Sequence, residues 1–124
     1  MRMDRARDGG GPIVRALGPG GFRLDDTTVL AAALLTVNEA RAWSPPPLAE
    51  LNEAALATIL DPAPEFVLIG TGDTLVRPPR ALVEALEARG IGLEPMDSRA
   101  AARAWGVLRS EGRQIAAALY PLGA

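Results

Sequence analysis

A chain of 124 residues with 48% apolar residues has the size of one domain and can bury one continuous core, which excludes a largely disordered polypeptide. Its net charge of −2 provides no strong field to attract nucleic acid or an acidic membrane surface. It contains no Cys, His or Lys, which excludes disulfides, thiolate or imidazole metal sites, a Ser–His pair, a Schiff base and a P-loop lysine.

In chain order, residues 1–11 are charged, end in three glycines, and read as a flexible tail before a single domain over 12–124. Arg2, Arg5 and Arg7 alternate with Asp4 and Asp8 and no apolar region follows, so neither a secretory signal nor a transit peptide is expected. Ile13–Leu17 and Phe22–Leu24 flank Gly18-Pro19-Gly20-Gly21, a hairpin signature, and Asp25-Asp26 marks a second turn. Thr27–Val37 suits either a helix, through its Ala/Leu run, or a strand, through Thr27, Thr28, Val29 and Val37. The strand is favoured, with a turn at Asn38-Glu39 and a short strand to Trp43. No stretch approaches the ~18 apolar residues needed to cross a bilayer, so a cytoplasmic protein is expected.

Ser44–Pro47 breaks regular structure with three prolines, and a helix is predicted from Asn52, with Leu51 and Leu56 spaced as a hydrophobic staple and Asp61-Pro62-Ala63-Pro64 as its stop. Phe66-Val67-Leu68-Ile69 is an apolar run fitting a strand covered on both faces. Pro78 and Pro79 open a helix striped by Leu82, Val83 and Leu86, and Gly90 stands where a left-handed C-cap belongs. Ile91–Met96 completes a strand–helix–strand unit. Asp97-Ser98 caps a third helix, whose Ala101, Ala104, Trp105 and Leu108 share one face and which ends at Glu111-Gly112, before a last strand over Gln114–Tyr120.

The candidate site follows from this topology. If the strands ending at Ile69 and Met96 are parallel neighbours, their exit loops lie side by side at the carboxyl edge of the sheet, where open α/β sheets bind ligands. Gly70, Thr71, Gly72 and Asp73 would then meet Met96, Asp97 and Ser98, with Arg113 as a further polar candidate. The competing readings are a plain turn for Gly70–Asp73 and ordinary helix capping for Asp97 and Ser98. A dinucleotide loop is not expected, because Leu75 occupies the place of its third glycine. Trp43, beside the prolines, is a candidate interface anchor. No hydroxyl has a visible activating base and no acidic cluster has metal-loop spacing, so no cofactor, metal or catalytic residue is assigned. The all-arginine basic set suits anion recognition, but coding bias explains it more simply.

Three segments in register, Glu65-Phe66-Val67-Leu68-Ile69-Gly70-Thr71-Gly72, Gly90-Ile91-Gly92-Leu93-Glu94-Pro95-Met96-Asp97 and Leu108-Arg109-Ser110-Glu111-Gly112-Arg113, resemble a small α/β family. It includes the mitochondrial assembly factor three of NADH–ubiquinone oxidoreductase (respiratory complex I) and uncharacterised bacterial and archaeal proteins. The likeness runs from about Ile13 to Leu122. It implies a three-layer α/β/α fold around a mixed, largely parallel sheet of about five strands plus an N-terminal hairpin, with the last strand antiparallel to most others.

The resemblance also implies no established enzymatic activity, protein partners at a membrane for the mitochondrial member, and bacterial genes often near those of Sec translocation. The chain departs from the family pattern at Ala102 and Trp105-Gly106, where relatives usually carry Cys and Tyr-Asn, and at Ala31-Ala32-Ala33 and Val37-Asn38-Glu39. The expected function is that of a non-catalytic, protein-binding, assembly-factor-like protein. The alternatives are a small-ligand binder or carboxylate-dependent enzyme using the 70–73 and 96–98 loops, and a homodimer.

Overall fold

A computed structural model describes residues 11–123, so all but the last position of the expected tail lies outside the described residues. The N-terminal hairpin forms as expected: β1 (Ala16–Gly18) and β2 (Gly21–Arg23) pair antiparallel around Pro19-Gly20, and β3 (Val29–Leu30) adds a third strand. The Asp25 turn is held by its carboxylate, which accepts from the Thr27 and Thr28 amides at 2.9 and 2.7 Å. Those bonds, the Thr27 amide first, keep the Asp25 carboxyl below its ordinary range.

The ambiguous 27–37 stretch is extended, but it serves two sheets. After β3 the chain crosses at Ala31-Ala32 into β4 (Ala33–Leu35), which turns back into β5 (Ala40–Ala42). The Ala/Leu run resembles a helix because β4 is buried on both faces: Leu34 packs into one core, Ala33 and Leu35 into the other.

The main sheet combines β4 and β5 with β6 (Phe66–Gly70), β7 (Gly92–Met96) and β8 (Ala116–Leu119), in the order β5-β4-β8-β6-β7. β6 pairs parallel with both β7 and β8, whereas β4 is antiparallel to β5 and β8. This corrects the orientation implied by the family resemblance: the odd strand is β4, and the last strand runs with the majority. Each helix carries the chain back to the starting edge of the sheet, so the strand after it runs parallel to the one before.

Helix α1 (Arg80–Ala88) lies between β6 and β7, and α2 (Ser98–Ser110) between β7 and β8. Alternation along the strands sorts the apolar side chains into two layers. Val67, Ile69, Ala116 and Ala118 join Leu82 and Leu86 of α1, together with Leu51, Leu56, Ile59 and Leu60. Leu68, Ala117 and Leu119 join Ala101 and Trp105 of α2, and Phe22 of the small sheet. Each fully buried large apolar side chain contributes about 1.5–3 kcal/mol.

The helix expected from Asn52 is instead two 3-10 segments, Leu48–Glu50 and Ala54–Ile59. Its local signals were sound: Asn52 Oδ1 accepts from the Ala55 amide at 3.0 Å, and Leu51 and Leu56 are buried. Leu51, in an extended conformation, separates the two turns. A three-residue turn also aims Leu56 and Ile59 at the sheet together. Gly90, at φ +77°, ends α1 as expected while the Ile91 amide bonds Leu86 O at 2.9 Å.

Within α2, Gly106 lies in open space, since a Cβ there meets nothing within 4 Å. Its conformation is helical, so Gly106→Ala removes only backbone freedom from the unfolded chain. It is expected to raise stability by about 0.5–1 kcal/mol. A urea midpoint that stays put or falls contradicts this.

Candidate functional site

Because β6 and β7 are parallel neighbours and β8 flanks β6 on its other side, three exit segments meet at one edge. Gly70–Asp73 and Met96–Ser98 come together as expected. The segment after β8, Tyr120–Gly123, joins them. The Thr71 amide donates to Met96 O at 2.8 Å, and its hydroxyl donates to Thr74 O at 2.6 Å while accepting from the Val76 amide at 3.0 Å. Asp97 caps α2 through the Ala100 amide at 2.9 Å, and Asp73 accepts from the Gly123 amide at 2.9 Å.

Ser98 ties the three segments together. It is fully buried; its hydroxyl accepts from the Gly72 amide at 2.9 Å and donates to Tyr120 O at 2.7 Å, while its own amide donates to Gly72 O at 2.8 Å. Gly70 makes room for this. A Cβ at position 70 would stand 2.9 Å from Ser98 Oγ and from the Leu119 side chain, and 3.0 Å from Ser98 Cα. The start of α2 therefore rests directly on the end of β6. Both rim hydroxyls spend their bonds on main-chain groups, so neither is paired with a general base, the arrangement a nucleophile requires.

Arg113 lies at the opposite edge, because it precedes β8, whose carboxyl end is the rim. Its Nη2 meets Glu65 Oε1 at 2.8 Å and its guanidinium lies 5.7 Å from the Phe66 ring centroid. The hydrogen bond from Arg113 is the first cause holding the Glu65 carboxyl below its ordinary range; the same contact raises Arg113. Trp43 is half-buried against the α1-side core and meets the Tyr120 ring edge-on at 5.1 Å. Tyr120 donates to Pro46 O at 2.8 Å, and burial pushes its hydroxyl up to about 12.

Sequence reasoning missed two concavities. One, of about 350 Å³, runs between α1 and β7. The other, of about 250 Å³, lies at the end of the sheet opposite the rim, floored by Ile59, Ile115 and Ala116. The second joins residues from 36–39, 58–64 and 114–116, which no local motif marks, and the first lies within 77–95 and is made by the seating of α1 on β7. Among the described residues no helix is long and apolar enough to cross a membrane.

Comparison with known proteins agrees with this architecture. A crystal structure of a Bordetella parapertussis protein is similar, with a TM-score of 0.79 and 30% identity over 89% of this chain and 95% of that one. An uncharacterised Rhodobacter capsulatus protein is 33% identical over 105 residues, 85% of this chain and 81% of the relative. The human NADH dehydrogenase [ubiquinone] 1 alpha subcomplex assembly factor 3 is 30% identical over 103 residues, 82% of this chain. That match spans 56% of the human protein, little more than half its length. A family model, a protein of unknown function (DUF498/DUF598), matches residues 14–120, and the chain belongs to that family.

Proposed function

We propose that this chain is a protein-binding assembly factor that acts in the cytoplasm on a partner belonging to a membrane complex, with NADH–ubiquinone oxidoreductase the first candidate. The observation that carries this reading is the 30% identity to the human assembly factor across 82% of the chain. The site chemistry is compatible with it. The rim polar groups fasten strand ends to a helix start, and a rigid scaffold of this kind presents surfaces without turning over a substrate.

The test is deletion of the gene in a bacterium that carries both it and the respiratory complex. The expected result is a several-fold fall in assembled NADH–ubiquinone oxidoreductase on native gels, restored by the wild-type gene. An unchanged level of the complex overturns the reading.

A second reading, a small polar ligand held by Gly70–Asp73 and Met96–Ser98, is favoured by the adjacency of those loops. Such a ligand would meet an Asp73 carboxylate that already accepts from the Gly123 amide. Metabolite pools that leave the Gly72 and Gly123 amide signals unmoved in NMR titrations would sink it.

A further inference from the structure

Strand β7 is one edge of the main sheet. The Gly92 amide donates to Glu65 O at 3.2 Å and Met96 O accepts from the Thr71 amide at 2.8 Å, so both residues turn their main chain inward to β6. Alternation then turns the main chain of Leu93 and Pro95 outward. Proline has no N–H, so the open edge offers the Leu93 amide as donor, and the Leu93 and Pro95 carbonyls as acceptors. That is enough for a short extended segment and too little for a long continuous ladder, which disfavours sheet extension by a second copy.

Beside this edge lies the cleft of about 350 Å³, with Val83, Leu93 and Pro95 as its apolar walls. Its charges are segregated: Arg77 and Arg80 stand at the start of α1, Glu84 and Glu87 further along the same helix. Since α1 connects two parallel strands, it runs against them, and its basic end lies towards Pro95 and Met96. Arg80 is paired with Glu84 at 3.0 Å, but their side chains are 89% and 62% exposed. Such a pair is held weakly and leaves Arg80 available to another carboxylate.

Beyond the basic end, Leu75 and Val76 are 56% and 47% exposed. The Thr71 hydroxyl holds their loop in place. Ordered, adjacent apolar side chains exposed to solvent are a feature of contact surfaces.

We propose that the α1–β7 cleft binds a short extended segment of a partner polypeptide by strand addition at Leu93. An apolar side chain of the segment fills the cleft, and an acidic residue lies against Arg77 and Arg80. This deepens the protein-binding reading and rests on it. The mode is main-chain pairing for affinity combined with a side-chain pocket for selectivity.

The test is selection of a displayed library of random linear heptapeptides against the full chain, followed by NMR titration with the enriched peptide. The expected consensus is an apolar residue flanked by an acidic one, with the Leu93 amide among the largest shifts. Arg77→Glu with Arg80→Glu weakens binding about ten-fold, and a peptide with Lys in place of its acidic residue recovers it on that variant. Both arginines are exposed, and an unchanged urea midpoint confirms that the variant is folded.

No enriched acidic–apolar sequence, shifts that map to the rim or to Trp43, or a concentration-dependent homodimer occupying β7 would each overturn the proposal. If peptide binding holds but deletion of the gene leaves assembly of the respiratory complex unchanged, the assembly reading fails and the cleft stands. If deletion impairs assembly but no peptide is selected, the cleft fails alone.

Discussion

Trp105→Ala is expected to lower the unfolding free energy by about 3–5 kcal/mol, the range for truncating a large buried aromatic. Trp105 is fully buried, packed with Phe22, Leu35 and Leu119 between α2 and the sheet. Its indole N–H also donates to Pro12 O at 2.8 Å, which links α2 to the start of the described chain 93 residues away. The truncation therefore opens a cavity and releases the N-terminal segment from the core. Trp105→Phe keeps most of the volume and loses the bond, at a cost of about 1 kcal/mol for the hydrogen bond. Urea unfolding followed by circular dichroism measures both, with Trp43 left as a fluorescence probe of the other face. Equal midpoints for Trp105→Ala and wild type would contradict the packing described here.

Ser98→Ala is expected to cost about 2–4 kcal/mol, more than its small volume suggests. The change strands the buried Gly72 amide, at about 1–3 kcal/mol, and loses the bond to the part-buried Tyr120 carbonyl, at about 1 kcal/mol more. The damage should be local to the rim. Hydrogen exchange at the Gly72 amide should accelerate strongly, whereas the Leu68 amide in mid-β6 slows or speeds only with global stability. A loss below about 0.5 kcal/mol, the size typical of a neutral surface change, would show that Ser98 is not what fastens the three strand ends.

The parts of the fold that were legible in the sequence are those set by local chemistry. Phe66–Ile69 is apolar without alternation because both faces are covered, and that pattern led to β6 and its parallel partner β7. Gly90 and Asp97 mark helix ends through a positive φ and a side-chain cap, each within a few residues. The adjacency of the 70–73 and 96–98 loops followed from the parallel pairing alone.

What was not legible depends on residues far apart in the chain. Nothing near Gln114–Tyr120 tells that β8 inserts between β4 and β6, so the third exit segment at the rim was missed. Ser98 reads locally as a capping residue, and its bond to Tyr120 exists only because β8 ends beside it. Arg113, a candidate ligand residue from the sequence, precedes β8 and so stands at the edge opposite the rim, against Glu65. Asn52 opens a genuine helix start, but the turn that follows, Ala54–Ile59, is 3-10, with Leu56 and Ile59 both buried. The α1–β7 cleft sets Arg77 and Arg80 beside Leu93 and Pro95, and it arises from the packing of α1 on β7 rather than from any residue pattern.

An assembly factor differs from a subunit in time as well as in contact: it rides on an intermediate and is absent from the finished complex. Pulse-chase labelling of NADH–ubiquinone oxidoreductase subunits, with the tagged chain used for co-precipitation, reads that difference directly. Labelled, partly assembled intermediate is expected to come down with the chain early and to be lost from it as the complex matures, and maturation is expected to slow several-fold in the deletion strain. A chain that never precipitates labelled intermediate, together with maturation at the wild-type rate without it, would show that the chain is no assembly factor for this complex.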